Sequence, residues 1–212
     1  MSLLICGIVN AIEDASNNPQ LVNMKSSFII HSSSIYVGGI NKSALGIGLG
    51  FDKPFSEIME IYGGVDYFFS TKTKGEITAS SMNTYPSTTT QIPVNLTYNL
   101  YRANMNGNYH FLHNAGDDFT MYGIAGFSVL FAWSKNQIDN NYNTNYSFAY
   151  SDRNATIAMY ANLGVGATFK TGKVFPFVNA QYNYSLGGSD AEPPSVKIPS
   201  LITVMGGLRI QL

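Results

Sequence analysis

The sequence predicts an all-β protein, an eight-stranded antiparallel up-and-down transmembrane β-barrel, and three observations predict it. Oily and hydrophilic residues trade places at every second position from about Ser34 onward. Successive side chains of a strand point to opposite faces, so each such stretch is a strand with one greasy and one polar face. The connections alternate between short and long. Charge is scarce: Asp, Glu, Lys and Arg make up 12% of the chain, about half the share in an ordinary soluble domain.

The strands follow in order. "SIYVGGI" is the first, and "SFIIHSSS" either lengthens it or precedes it. "SALGIGLGFD" sets Leu45, Ile47, Leu49 and Phe51 against Gly46, Gly48, Gly50 and Asp52. "MEIYGGVDYFFS" sets Met59, Ile61, Val65, Tyr67 and Phe69 against Glu60, Tyr62, Gly64, Asp66 and Ser70. "RANMNGNYHF" puts Arg102, Asn104, Asn106, Asn108 and His110 on one face, with Ala103, Met105, Gly107, Tyr109 and Phe111 on the other. In "FTMYGIAGFSVLFAWS" Met121, Ala125, Phe127, Val129, Phe131 and Trp133 share a face, opposite Tyr122, Ile124 and Leu130. "TIAMYANLGVGATFK" opposes Ile157, Met159, Leu163, Val165 and Phe169 to Tyr160, Asn162, Gly164, Gly166 and Thr168. "FPFVNAQYNYSL" opposes Val178, Ala180, Tyr182 and Leu186 to Asn179, Gln181 and Asn183. "LITVMGGLRIQL" closes the series, with Ile202, Val204, Leu208, Ile210 and Leu212 against Thr203, Gly207, Arg209 and Gln211.

Short turns are expected near Lys53 to Glu57, near His113 to Asp118 and at "KTGKV"; long polar connections are expected over Thr71 to Val94, Lys135 to Asn154 and "GGSDAEPPSVKIP". Only the first hairpin, through "INKS", has a short turn on the long-loop side. Short turns at one end and long loops at the other are the asymmetry of bacterial outer-membrane barrels.

The composition also decides which face looks inward. A water-facing surface usually carries about 25–35% charged residues, whereas the polar face here is mostly Asn, Gly, Ser, Thr, Gln and Tyr. Those residues suit a narrow enclosed lumen, and the apolar face then meets lipid, with ring closure satisfying the backbone. The alternative, a soluble lipocalin-like small-ligand carrier, would have an apolar pocket and a charged exterior. Tyr67, Phe69, Tyr101, Tyr109, Phe111, Phe131, Trp133, Phe169 and Tyr184 fall near strand ends, where they would form interfacial girdles.

An eight-stranded barrel is just wide enough for side chains to fill it. The inward acids Glu60 and Asp66 are therefore expected to pair with the inward bases Arg102 and Arg209, in a network with Asn104, Tyr62 and Gln181, because isolated buried charges are very costly.

The meander, the loop asymmetry and stretches such as "YGIAGFSVLF", "ANLGVGATF" and "FPFVNAQYNYSLGG" resemble the small outer-membrane β-barrel superfamily that includes the OmpA transmembrane domain, OmpX and the opacity proteins. The resemblance is one of pattern and covers about residues 34–212. It implies a Gram-negative outer membrane, contact with membrane lipid and lipopolysaccharide, and delivery by the barrel-assembly machinery. In that superfamily the last residue is commonly aromatic, and Leu212 departs from this.

Other function classes find little support. Twelve Lys plus Arg against thirteen Asp plus Glu leave no basic surplus for nucleic acid. One cysteine, Cys6, gives neither a disulfide framework nor a zinc cluster, and the three histidines lack ligand spacing. No cofactor site is expected. "HSSS" places His31 and Ser33 on one strand face and faintly resembles the His and Ser of lipid A deacylases, the alternative of a lipid A-modifying enzyme. A Ser nucleophile needs a base oriented by an acid, and no acid lies nearby in sequence.

The expected reading is non-enzymatic: an outer-membrane barrel over residues 28–212, preceded by residues 1–27 as a signal remnant or periplasmic segment. "LLICGIV" with Ala11 supports the former, while bulky Ile5 before Cys6 argues against lipidation. The loops, rich in Ser, Thr, Asn and Tyr, suit adaptable contacts with an extracellular protein or glycan, in adhesion, surface interaction or envelope integrity.

Overall fold

The structure is a computed structural model and describes residues 25–37, 42–56, 58–81, 89–112, 119–138, 146–147, 153–169, 172–189 and 200–212. Nine strands occur among them: β1 (Ser27–Val37), β2 (Lys42–Ser56), β3 (Met59–Ser81), β4 (Thr89–Leu112), β5 (Phe119–Ile138), β6 (Tyr146–Ser147), β7 (Arg153–Phe169), β8 (Val174–Ser189) and β9 (Leu201–Gln211). All except the two-residue β6 pair antiparallel around the ring β2-β1-β9-β8-β7-β5-β4-β3, and β2–β3 pairing closes it. Ring closure gives the backbone of every barrel strand two neighbours, which a sheet in lipid requires. The eight expected strands are those of the ring, and "SFIIHSSS" lengthens the first.

Side-chain burial fixes the orientation. Leu163, Val165 and Met105 are 67%, 55% and 64% exposed, whereas Arg102, Asn162 and Asn183 are fully enclosed. The greasy face therefore looks outward over a band that every ring strand crosses. Tyr67, Phe69, Tyr101, Trp133 and Phe131 form a continuous ribbon of ring contacts on the outer wall. Phe119 and Phe169 make a second contact near the opposite end, at 5.1 Å between ring centroids.

The two ends differ. One carries the tight connections from Ser56 to Met59 and from Phe169 to Val174, together with the paired ends of β1 and β9 at Ser27 and Gln211. Gly172 there takes a φ of 73°, a left-handed conformation that other residues adopt at a cost. At the other end the ladders are longer than the sequence reading predicts. Thr71 to Ser80 continue β3 against Tyr98 to Thr89 of β4, and β5 runs to Ile138 opposite Val94. Much of the expected Thr71 to Val94 connection is thus strand, and β2 likewise reaches Ser56 before the first tight connection. A β-bulge between Phe68 and Thr71 sets Phe69 and Ser70 opposite Asn99 alone, so Ser70 is exposed and not on the inward face where alternation places it. The turn holding His113, and residues 1–24, lie outside the described residues.

The inward parity of β4 stays constant while its chemistry inverts. From Arg102 downward the enclosed residues are Arg102, Asn104, Asn106 and Asn108; from Leu100 upward they are Leu100, Tyr98, Leu96, Val94 and Ile92, with Asn99, Thr97, Asn95 and Gln91 facing out. Below Tyr101 the wall is polar-in and apolar-out; above it, apolar-in and polar-out. Such a change is the one expected of a wall that passes from hydrocarbon into water.

Candidate functional site: a polar lumen

Two ion clusters and an amide relay occupy the lumen. The upper cluster is built around Asp66 on β3. Its Oδ2 accepts from Arg102 Nε at 3.0 Å and from Asn104 Nδ2 at 3.0 Å, and its Oδ1 lies 2.7 Å from His31 Nε2. Arg102 uses its remaining donors on Thr203 Oγ1 at 2.9 Å and Met205 Sδ at 3.3 Å. Asp66 and Arg102 are register partners on neighbouring strands. His31, by contrast, reaches Asp66 across β2, and Gly48 lies opposite both residues in the pairing. A Cβ at Gly48 would stand within 2.7 Å of Asp66 Oδ1 and inside the His31 ring envelope, so only glycine leaves this passage open.

The lower cluster is centred on Arg209 of β9. Its Nη1 lies 2.5 Å from Glu60 Oε1 and 3.3 Å from Asp52 Oδ2, and its Nη2 donates to Tyr122 Oη at 2.9 Å. Asn108 Nδ2 also donates to Glu60 Oε1, at 2.8 Å, while His110 Nε2 stands 3.6 Å from Glu60 Oε2. Tyr122 in turn donates to Asn179 Oδ1 at 2.5 Å. The guanidinium is stacked between rings, with centroids 5.1 Å away at Tyr122 and 5.3 Å away at Phe177. Between the clusters Ser128 Oγ donates to Asn162 Oδ1, and Asn162 Nδ2 to Asn106 Oδ1, each at 2.9 Å.

The structure thus brings Glu60 to Arg209 and Asp66 to Arg102 and Asn104. Gln181 is enclosed, but neither its Nε2 nor its Oε1 has a protein partner, while Tyr62 is enclosed on the same face beside Asn104. Sequence reasoning missed Asp52 and His31. Asp52 stood on the polar parity of its own strand, which was the available signal. His31 has an acid after all, brought from 35 residues away by the sheet.

Nothing in this arrangement exposes a nucleophile. His31 and Asp66 side chains are 0% exposed, and Ser33 is enclosed too. No group of His, Cys, Asp and Glu suited to a metal ion occurs among the described residues. What the fold and lumen define is a small outer-membrane-type β-barrel with an interior occupied by side chains.

No family model and no curated protein matches the chain. Solved structures do. Neisserial surface protein A aligns with a TM-score of 0.52 and 11% identity, over 89% of this chain and 97% of its own. A major outer membrane protein from Thermus thermophilus aligns with a TM-score of 0.51 and 9% identity, over 88% and 99%. Ail, the attachment invasion locus protein of Yersinia pestis, aligns with a TM-score of 0.46 and 14% identity, over 89% and 99%. At these identities the likeness is one of fold.

Proposed function

We propose that the protein is a non-enzymatic integral barrel of the Gram-negative outer membrane, serving envelope integrity, adhesion or surface interaction through its outer ladders and loops. The carrying observation is the closed ring whose outward residues are apolar and bounded by an aromatic ribbon. A contiguous apolar surface of that extent is foreign to soluble monomers. The tight-turn end is then periplasmic and the long-ladder end extracellular.

Lipopolysaccharide is the proposed lipid neighbour. Lys72 and Lys135 are exposed, both align with Thr97 of β4, and Lys135 lies two residues beyond Trp133 on the same strand face. Lysines just beyond an aromatic belt stand at headgroup height, where phosphates reside. Reversing both charges, Lys72→Glu with Lys135→Glu, should weaken co-purification of lipopolysaccharide several-fold while the folded barrel persists; unchanged lipid content would count against this contact. The extracellular partner is a protein or glycan engaged by the connections. Removing residues 82–88 and 140–145 should leave a heat-modifiable band on gels and abolish binding to arrayed proteins and glycans, whereas retained binding would place the contact elsewhere. Delivery by the barrel-assembly machinery belongs to the same reading.

A lipid A-modifying enzyme fits less well, because a base and hydroxyl at the centre of the lumen cannot meet an acyl ester. Fatty-acid release from lipopolysaccharide by the detergent-solubilised chain would reverse that judgement.

A further inference from the structure

The change from polar to apolar interior happens at one level on six strands. Toward the extracellular end, the next inward residue after Ser33 is Ile35; after Asp66, Phe68; after Arg102, Leu100; after Ser128, Leu130; after Asn162, Tyr160; and after Thr203, Leu201. These six residues belong to one contiguous buried cluster, which continues behind them through Tyr98, Leu96, Val94 and Ile92. They form an apolar septum across the barrel.

Beneath it the lumen is not fully paired. His31 Nδ1, Ser33 Oγ and both amide atoms of Gln181 are enclosed without a hydrogen-bond partner, and among the described residues only the Tyr98 hydroxyl is in this condition above the septum. A buried polar atom left unpaired is destabilising, and the usual remedy is ordered water held by several polar groups. Exposure falls along the same axis. Side chains of His110 and Glu60 near the periplasmic end retain 14% and 11%, while His31 and Asp66 under the septum retain none. The lumen's carboxylates Asp52, Glu60 and Asp66 outnumber its guanidiniums Arg102 and Arg209 among the described residues.

We propose that the lumen is a water-holding, cation-preferring compartment open toward the periplasm and shut on the outside by the apolar septum, a latent ion path held closed by dewetting. The inference rests on the outer-membrane reading for its orientation, but not on any extracellular partner.

The test is planar-bilayer recording of the full chain across a KCl gradient. The parent protein should be silent. Phe68→Ser and Leu130→Ser, each checked for a heat-modifiable fold, should give steady openings at least about tenfold above the parent baseline, with a reversal potential displaced toward that of K⁺. Folded variants that stay silent, or that prefer Cl⁻, would overturn the proposal, as would a parent protein that conducts steadily. Should both variants misfold, the parent protein in detergent micelles decides by nuclear magnetic resonance. Water-exchange cross-peaks are expected at the Asn104 and Gln181 side-chain amides, and their absence would sink the compartment. Loss of adhesion in the loop deletions leaves all these readouts unaffected, so the two readings fail separately.

Discussion

Asp66 accepts from a guanidinium, an amide and an imidazole while wholly enclosed, so it shows at residue scale what holds the lumen together. Removing one partner of a buried ion pair leaves the other charged and unsolvated, typically a loss of about 3–5 kcal/mol, whereas replacing both by apolar groups is often near neutral. Asp66→Ala should therefore lower unfolding free energy in urea by about that amount, and Asp66→Leu with Arg102→Met should recover most of it. Equal losses in the single and double variants would deny the coupling. Gly48→Val should be comparably damaging, since a side chain there occupies the line between His31 and Asp66; a normal unfolding midpoint would contradict the assigned passage. Four charged members of this lumen were legible in the sequence, because parity alone puts Glu60, Asp66, Arg102 and Arg209 on one side, whereas Asp52 shares that parity and was not carried into the network. Which acid meets which base was partly hidden. Adjacent strands can be paired by eye, but the Glu60–Arg209 contact spans 149 residues and depends on how far the ring is staggered. Parity carries no information on stagger.

At the scale of elements, alternation located all eight ring strands and misplaced several ends. The stretch "QIPVNLTYNL" alternates cleanly, yet it reads as loop if outward positions are expected to be greasy, because its outward residues are Gln91, Pro93, Asn95 and Thr97. Above the bilayer that expectation reverses sign. The bulge at Phe69 and Ser70 escaped for a different reason: a single added residue shifts every later position by one, and the Thr- and Lys-rich run after it has no apolar pattern to reveal the shift. A sharp contrast follows. Deleting Ser70 removes the surplus residue and keeps Thr71 on its present side, so the variant should fold, as judged by gel mobility before and after boiling. Deleting Val65 should not, since Tyr62 and Glu60 would be driven to the wrong face relative to Asp66. Identical behaviour of the two deletions would refute the bulge.

At the scale of the whole molecule, the proposed membrane setting puts lipid outside the wall along one stretch and water along the next. A charge placed at mid-belt should cost about 2–4 kcal/mol, falling toward zero beyond the interface. Leu163→Arg should thus destabilise the barrel in vesicles by that amount, while Thr97→Arg should be close to silent; unfolding titrations distinguish them, and equal costs would mean that the boundary near Tyr101 is misplaced. The level where the polarity of the wall changes was written in the sequence, as a reversal of which parity is oily. It could be recognised only once the ladders were known to continue past it.

One further consequence lies in the seam. β1 pairs with β9, so Ser27 meets Gln211, and the Leu212 amide donates to the Ser26 carbonyl at 3.0 Å. The first and final threads of the cylinder are stitched to each other, which makes the most distant stretches of chain answerable for its last fastening. Until that stitch is made, two raw selvedges of unpaired peptide groups lie open in an oily medium where nothing else can satisfy them. Half-finished cylinders should therefore be scarce at equilibrium, and losing a few residues from either thread should unravel the entire weave rather than fray its hem.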